Sequence, residues 1–594
     1  MNVIIFDFEV FEYDTLCGAL VIDEKFNVNL WQSWDLEAIK KFYHLHEDDF
    51  WIGHNNLHYD DLILEAVVKG KNTKEVSDNI VEKNLKLKCK LNFASFDLMS
   101  TSYYSLKVTE ASAGKNISES KVDFTLNRRL NDVEKKETES YNKDDLYQTY
   151  ENFTDPSMFG YLYARLLLCN MFNLDISCIN LSDSQIAAQV LKAKKIWGIE
   201  KKLVKPTLYP QLQLKNQALI DFYLNEDFRT NKKLKFMLCG CEHKCGSGGI
   251  HAALNKVHLA KAMYFDVSGY YNLVMLNYDL LPRTINDESK EIYRYLYYKQ
   301  LEYKKTAPMS RLAVKVVLLA VFGSMMNEYT EFYDPQRGLL VTITGQLFLV
   351  DLLEKLEGLI RVIQSNTDGI VIEPFDWNDY DKIINIVEEW EQRTGFVIKK
   401  DLIYDIHQRD VNCYFYHDEK GGFKCLGEAV NNYERWNYLF ESNVYNSKEP
   451  PIMAQGIVDY FFYNKLPEQV VEEHKNQLRM FQYICRPHSF DYLEYEKVYD
   501  DNHVEVEKLQ EVNRAFALNS CDYKGMVYKR KYEGKITKTK IACLPDSVFV
   551  YNNDIRDDNI IKQLQEKINY QYYVDRIYER IYEFIEHKDI KKIT

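Results

Sequence analysis

Residues 1–10 read MNVIIFDFEV, and the placing of Asp7 and Glu9 in that run decides how the chain is to be read. The stretch VIIF is β-branched and aromatic, which predicts a short buried strand. On a strand, residues i and i+2 project from one face, so the two carboxylates stand side by side next to a hydrophobic core. Like charges there are costly unless something positive neutralises them. A divalent metal with oxygen ligands does so; the plainer reading is a solvated strand end.

Working outward, WIGHNNLHYDDLIL (51–64) reads as a strand, a turn at residues 53–56, and a helix opened by Asp60 and Asp61. An Asp in that place also serves simply as a helix cap. The segment ETESYNKDDLYQTYENF (137–153) reads as a helix with Tyr141 and Asp145 on one face. In chain order these give Asp7-x-Glu9, Asn55-x-x-x-Tyr59-Asp60 and Tyr141-x-x-x-Asp145. Four carboxylates and a tyrosine hydroxyl, drawn from strand, loop and helix, are the set that two divalent ions about 3.5–4 Å apart need at a phosphodiester.

A second set follows. MYFDVSGYYNLVM (263–275) is again an apolar strand ending in an acid, Asp266. A helix-like segment (287–307) and a turn around Pro308 lead to RLAVKVVLLAVFG (311–323), where Arg311 and Lys315 lie one turn apart, suited to a triphosphate. IRVIQSNTDGIVIEPF (360–375) has two apolar halves around SNTDG, the pattern of a β-hairpin with Asp368 at its tip. Two carboxylates on adjacent strands with a cationic helix between them in sequence are parts that phosphoryl transfer uses. Taken singly, Asp368 reads as a turn residue and Lys315 as a lysine stem lying along apolar surface.

The first set resembles the three exonuclease motifs of the proofreading 3′→5′ exonucleases attached to DNA polymerases. The resemblance implies metal binding by Asp7, Glu9, Asp60 and Asp145, a water-orienting role for Tyr141, and contact of Asn55 with the strand end. The second set resembles motifs A, B and C of family B DNA polymerases. Motif A, usually D-x-x-S-L-Y-P, reads Asp266-Val-Ser-Gly-Tyr-Tyr271-Asn; motif B, usually K-x-x-x-N-S-x-Y-G, reads Lys315-Val-Val-Leu-Leu-Ala-Val-Phe322-Gly323; motif C, usually D-T-D, reads Asn366-Thr-Asp368. The resemblance implies that Asp266 and Asp368 bind the catalytic metals and that Arg311 and Lys315 face the triphosphate. It implies that Tyr271 lies under the deoxyribose and that Phe322 and Gly323 line the nascent base pair. Gly248 and Gly249 in GSGGIHAAL resemble the template-contacting loop. Tyr414 and Lys424 in QRDVNCYFYHDEKGGFKCLG resemble the K-x-Y region that holds the primer end. Leu319 and Asn366 depart from motifs B and C, which motivates a rival reading with a live exonuclease and a weak or lost polymerase.

The resemblance covers nearly the whole chain and is nearest to the compact bacteriophage members. It implies a mixed α/β (α+β) protein: a DnaQ-like (RNase H-like) exonuclease domain followed by a right-hand polymerase of palm, fingers and thumb. The expected division is 1–155 exonuclease, 156–260 a helical connection, 261–285 palm, 286–325 fingers, 326–430 palm, and 431–594 thumb and C-terminal helices. With 49 residues from Asp266 to Lys315, the fingers are expected to be a short helical hairpin, which disfavours the insertion of protein-primed relatives. The implied cofactor is Mg²⁺, two ions per site, with Mn²⁺ as the alternative. The implied partners are primer-template DNA and dNTPs, with a processivity factor, helicase or single-strand-binding protein, for a monomeric chain.

Bulk properties agree. Of 594 residues, 46% are hydrophobic and 28% charged, the balance of a globular chain rather than a disordered one. The longest apolar run, VVLLAVFGSMM, is too short to span a bilayer, no signal-peptide pattern opens the chain, and twelve scattered cysteines suit a reducing compartment. A cytoplasmic protein without a membrane partner is therefore expected. A net charge of −14 argues against a protein that only coats nucleic acid. In LCGCEHKCGSGG, Cys239, Cys241, His243 and Cys245 offer soft ligands, but structural zinc sites separate their pairs by a longer loop, so a turn is expected there.

Overall fold

The computed structural model describes residues 1–585 except 103, 202–203, 226–231, 435–447, 501–502 and 534. Parts of the expected thumb, 435–447 and 586–594, therefore lie outside the described residues. The N-terminal unit is built on a five-stranded sheet of β1 (Val3–Val10), β2 (Thr15–Ile22), β3 (Val28–Ser33), β4 (Phe50–Gly53) and β5 (Ala94–Asp97), ordered β3-β2-β1-β4-β5. β1 runs antiparallel to β2 and parallel to β4. Its alternation sorts the residues: Ile4, Phe6, Phe8 and Val10 enter a core with Trp51, Ile63 and Leu64. Asp7 and Glu9 take the other face with Ile5. The long helix Asp132–Thr154, opened by an Asn131–Glu134 capping box, packs on β1 and β2.

The central sheet has nine antiparallel strands: β6 (Leu234–Leu238), β7 (Cys241–Cys245), β8 (Ile250–Ala253), β9 (Val257–Val267), β10 (Ile360–Asn366), β11 (Gly369–Pro374), β12 (Ile398–Asp410), β13 (Cys413–Asp418) and β14 (Phe423–Leu426). Their order is β14-β13-β12-β9-β11-β10-β8-β7-β6. The expected helical connection thus ends early: after helices Pro156–Phe172, Asp183–Val190 and Gln217–Leu224, the chain already supplies three strands of this sheet before residue 260. One face is covered by the helices Pro335–Leu356 and Tyr380–Thr394, whose Leu347, Val350 and Val387 share a core with Phe265, Val267 and Ile372. The other face carries Tyr264, Tyr414 and Tyr416 around Ile363 and Val371.

The helices Asp287–Thr306 and Pro308–Ser324 form the expected hairpin, turned at Ala307 and Pro308, with Tyr293, Leu296 and Tyr297 packed on Val314, Val317 and Val321. The C-terminal unit has its own core and is less helical than the sequence suggests. Beside the helices Pro451–Tyr463, Pro467–His474 and Tyr570–Phe584 it holds two small antiparallel sheets, spanning residues 483–550. Among the described residues, no helix is long and apolar enough to cross a membrane.

Candidate functional site

The structure brings the first set together where β1 meets the helix Asp132–Thr154. Carboxylate oxygens of Asp7, Glu9 and Asp145 all lie within 4.8 Å of one another, the one such cluster of three or more metal-ligating side chains among the described residues. Asp60, the first residue of the helix Asp60–Val68, stands behind them, its Oδ1 accepting from the Phe8 N–H at 3.0 Å. Tyr141 is one turn before Asp145 and hydrogen-bonds to it. Asn55 lies in the turn, left-handed at φ 66°, and its N–H donates to Asp97 Oδ1 at 2.8 Å.

Three residues that sequence reasoning missed complete this site. Lys107 Nζ lies 2.9 Å from Asp145 and 3.0 Å from Glu110, and 4.5 Å above the Tyr141 ring. Asn142 Nδ2 donates to Asp7 Oδ2 at 2.8 Å. The visible signal was a lysine and a glutamate three apart in the otherwise small and apolar LKVTEASAG (106–114), on one helix face.

The site is short of positive charge. Burial, then the Asp145 charge, pushes Asp7 up to about 8. Burial, then Asp7, holds Glu9 and Asp60 well above the carboxylate range. Glu110 is pushed up to about 8 by burial and Asp145. Burial raises Asp145 too, against the pull of Lys107 and the Tyr141 hydrogen bond. Burial disfavours the Lys107 charge, but Asp145 and Glu110 outweigh it and raise the ammonium. Clustered buried oxygens of this kind fit a hard divalent cation, which takes the place of the protons.

The second set converges on the β10–β11 hairpin. Asp266 at the end of β9 pairs with Gly369, placing it next to Asp368 at the exposed tip, and the Val267 N–H donates to the Asp368 carbonyl at 2.9 Å. Partial desolvation, then the Asp266 charge, raises Asp368, while Lys424 pulls the other way. Thr367, directly before Asp368 in the turn, is left-handed at φ 58°, an uncommon and costly state for a β-branched residue. Neighbours hold it there: its N–H donates to the Ile250 carbonyl at 3.0 Å, and Tyr271 hydrogen-bonds its side chain. Gly249 packs so closely that a Cβ would come within 2.8 Å of Thr367 Oγ1. Gly248, beside it, is open.

Tyr271 lies in the first turn of the helix Tyr270–Asn277, just after β9, and its ring stacks on Phe322 with centroids 3.9 Å apart. Phe322 ends a stripe on the helix Pro308–Ser324 that begins with Arg311 and Lys315, both half-buried, and passes Leu319, which is 61% exposed. Arg311 Nε is buried without a hydrogen-bond partner, and open space lies over Gly323. Lys424 stands 5.3 Å above the Tyr264 ring and pairs across strands with Tyr416, which stacks in parallel with Tyr414 at 6.2 Å. Asn366, two residues before Asp368, hydrogen-bonds His251 on the neighbouring strand β8.

The cysteine-rich run folds as the end of β6, a turn and β7. Alternation along β7 buries Cys241, His243 and Cys245 side by side within the core rather than around one point. Cys239 Sγ donates to the Leu353 carbonyl, and His243 stacks on Phe236. The expected turn is therefore followed by a strand, β7.

No protein-family model matches the chain, and no curated relative matches its sequence. Among solved structures it is similar to the family B DNA polymerase from the hyperthermophilic archaeon Pyrobaculum calidifontis, at 13% identity and a TM-score of 0.44, covering 99% of this chain and 78% of that one.

Proposed function

We propose that this chain is a template-directed DNA polymerase of the compact bacteriophage type, extending a primer 3′ end with dNTPs, and that its N-terminal unit is a 3′→5′ proofreading exonuclease. One observation carries the reading: five segments far apart in sequence meet at a single hairpin tip. They supply Asp266, Asp368, the Tyr271–Phe322 stack, Gly249 and Lys424, and Phe322 ends the helix that carries Arg311 and Lys315.

In this reading Asp266 and Asp368 hold two Mg²⁺ ions, and Asp7, Glu9, Asp60 and Asp145 hold the corresponding pair in the exonuclease. Bound there, such ions activate the attacking oxygen and stabilise the leaving one. Arg311 and Lys315 bind the triphosphate of the incoming nucleotide from one helix face. Tyr271 supports the sugar, its position set by Phe322 beneath and Thr367 beside it. Lys424 and Tyr414 hold the primer end, and Gly248 and Gly249 let template backbone approach. At the other site Tyr141 and Lys107 orient the water and the scissile phosphate, and Asn55 meets the strand end.

The test is extension of a 5′-labelled primer on a longer template with Mg²⁺, with and without dNTPs. Wild type, Asp368→Ala and the double variant Asp7→Asn, Glu9→Gln run together. Lengthening with dNTPs and shortening without them, each variant losing one activity, supports both sites. Shortening under both conditions favours the rival reading, motivated by Leu319 and Asn366, of a nuclease whose polymerase site no longer works.

A further inference from the structure

The helix Leu106–Ala113 is held from two sides. Toward the exonuclease site, Lys107 reaches Asp145 and Glu110, and Asn152 of the helix Asp132–Thr154 donates to Thr109 Oγ1 at 3.1 Å. The opposite side is covered by the C-terminal unit, where Val108, Ala111 and Ile117 form a small core with Val512. Some 400 residues separate these partners in sequence, yet backbone bonds join them: Ile117 N–H to the Asn552 carbonyl at 2.8 Å and Ile555 N–H to the Gly114 carbonyl at 2.9 Å.

Two arginines of the C-terminal unit close the end of this helix, where backbone carbonyls lack helical partners. Arg479 Nε donates to the Ser112 carbonyl at 2.8 Å. Arg514 is fully buried; its Nη2 donates to the carbonyls of Ala111 at 3.2 Å and Lys115 at 2.9 Å. Its remaining donors reach Asn553 O at 2.9 Å and Gln482 Oε1 at 2.7 Å within the C-terminal unit. Gly114, left-handed at φ 76°, ends the helix, and a Cβ there would meet Arg479 Cγ at 2.9 Å. Lys115, just beyond, pairs with Glu151 at 2.6 Å, tying the same segment back to the helix of Tyr141 and Asp145.

A cation is favoured at a helix C-terminus, but a buried guanidinium is an expensive way to fill a gap that apolar side chains would fill as well. What its planar fork adds is registration: donors fixed at once on two carbonyls of one unit and on acceptors of the other. From this we infer that Arg514 and Arg479 are positioning residues for the exonuclease site. They fix the helix that presents Lys107 and Glu110 to Asp145, and so make hydrolysis answer to the placement of the C-terminal unit. The inference rests on the exonuclease reading above, and its test separates the two.

The full-length chain is compared with Arg479→Ala, Arg514→Met and Arg514→Lys. Backbone hydrogen exchange over residues 106–113, Mn²⁺ affinity by calorimetry, kcat and KM for primer shortening, and extension with dNTPs are measured on each. The expected result is faster exchange in 106–113 and a loss of about 10–100-fold in kcat for shortening, with KM and extension within about twofold of wild type. Arg514→Lys should recover part of what Arg514→Met loses, because it keeps a charge but not the fork. Unchanged exchange and unchanged shortening in the variants overturn the inference. So does an equal fall of shortening and extension, the mark of a general packing role. If Arg514→Met does not fold, the half-buried Arg479→Ala decides alone. A wild-type chain that neither shortens primers nor binds Mn²⁺ at Asp7 and Glu9 defeats the exonuclease reading instead, while exchange over 106–113 still decides whether the arginines hold the helix.

Discussion

The two acidic sites carry their charge in opposite ways. At Asp7, Glu9, Asp60 and Asp145 the acids are largely buried; Lys107 is the counter-charge of Asp145, and burial with mutual repulsion pushes the other three toward their protonated forms. At Asp266 and Asp368 there are only two acids, one half-buried at the end of β9 and one exposed at the hairpin tip, with Lys424 close by. A site that cuts a bare strand end must supply nearly every metal ligand itself and can be built closed. A site that joins a nucleotide to a primer must leave room, because the triphosphate brings oxygens of its own. The contrast suits a hydrolytic centre and a transfer centre in one chain.

The largest expected effect separates them. Asp368→Ala should lower the rate of primer extension by on the order of 10²–10³-fold, while shortening without dNTPs continues at about the wild-type rate. Asp7→Asn with Glu9→Gln should do the reverse. Gel analysis of the same labelled primer reads both, and a variant that loses both activities would show that the sites are one functional unit.

Next in size is the pH dependence of shortening. Metal ligands must be deprotonated, and Asp7 holds its proton up to about 8, with Glu9 and Asp60 also held well above the carboxylate range. Below that pH, Mg²⁺ competes with protons, so its affinity for this site should fall as pH falls, by up to about tenfold per unit for each proton displaced. Calorimetry in buffers of different ionisation enthalpy should show proton release on binding near pH 7. Extension, at an open site with fewer acids, should depend less on pH over the same range.

The legible part of this molecule was its alternation and spacing. Ile4, Phe6 and Phe8 against Asp7 and Glu9 give the strand and the face of the first site, and SNTDG between two apolar halves gives the hairpin of the second. Cross-chain contacts were not legible. Lys107 is an ordinary lysine until the helix Leu106–Ala113 is laid against Asp145, and Arg514 an ordinary arginine until it meets Ala111 and Lys115. The early strands β6–β8 were hidden because β7 buries Cys241, His243 and Cys245, a run that reads as ligands or turn rather than as core. The C-terminal sheets were hidden for a related reason: strands such as Ile536–Lys540 are exposed and rich in lysine and threonine, without the apolar face that marks a strand.

A smaller effect bears on stability. In the folded, metal-free chain Asp7 is raised to about 8, far above its value in an unfolded chain. The folded state then binds that proton more tightly, so its stability is greatest below about pH 4 with respect to this group and declines as pH rises toward about 8. Asp7→Asn removes the decline. The variant should melt a few degrees (roughly) above wild type at pH 8 without metal, with the gap closing toward pH 4. Saturating Mg²⁺ should reverse the ranking, because only the wild-type folded state gains the full binding energy. Thermal melts with chelator and with Mg²⁺ check both halves.

The smallest effect concerns Asn366. Its side chain is bound to His251, and the hairpin tip is held independently by Gly249, Ile250 and Tyr271, so a third acid is not needed to shape the site. Asn366→Asp is isosteric and can still accept a hydrogen bond from His251. It adds a negative charge beside Asp266 and Asp368, which should tighten Mg²⁺ and draw a proton onto His251, whose ring burial now keeps neutral. The Mg²⁺ concentration for half-maximal extension should fall about two- to threefold, with the saturated rate unchanged within about twofold. A rise in the saturated rate of tenfold or more (~1.4 kcal/mol) would instead mean that two carboxylates are too few, and that the asparagine had weakened the transfer site while the buried site kept its full set of acids.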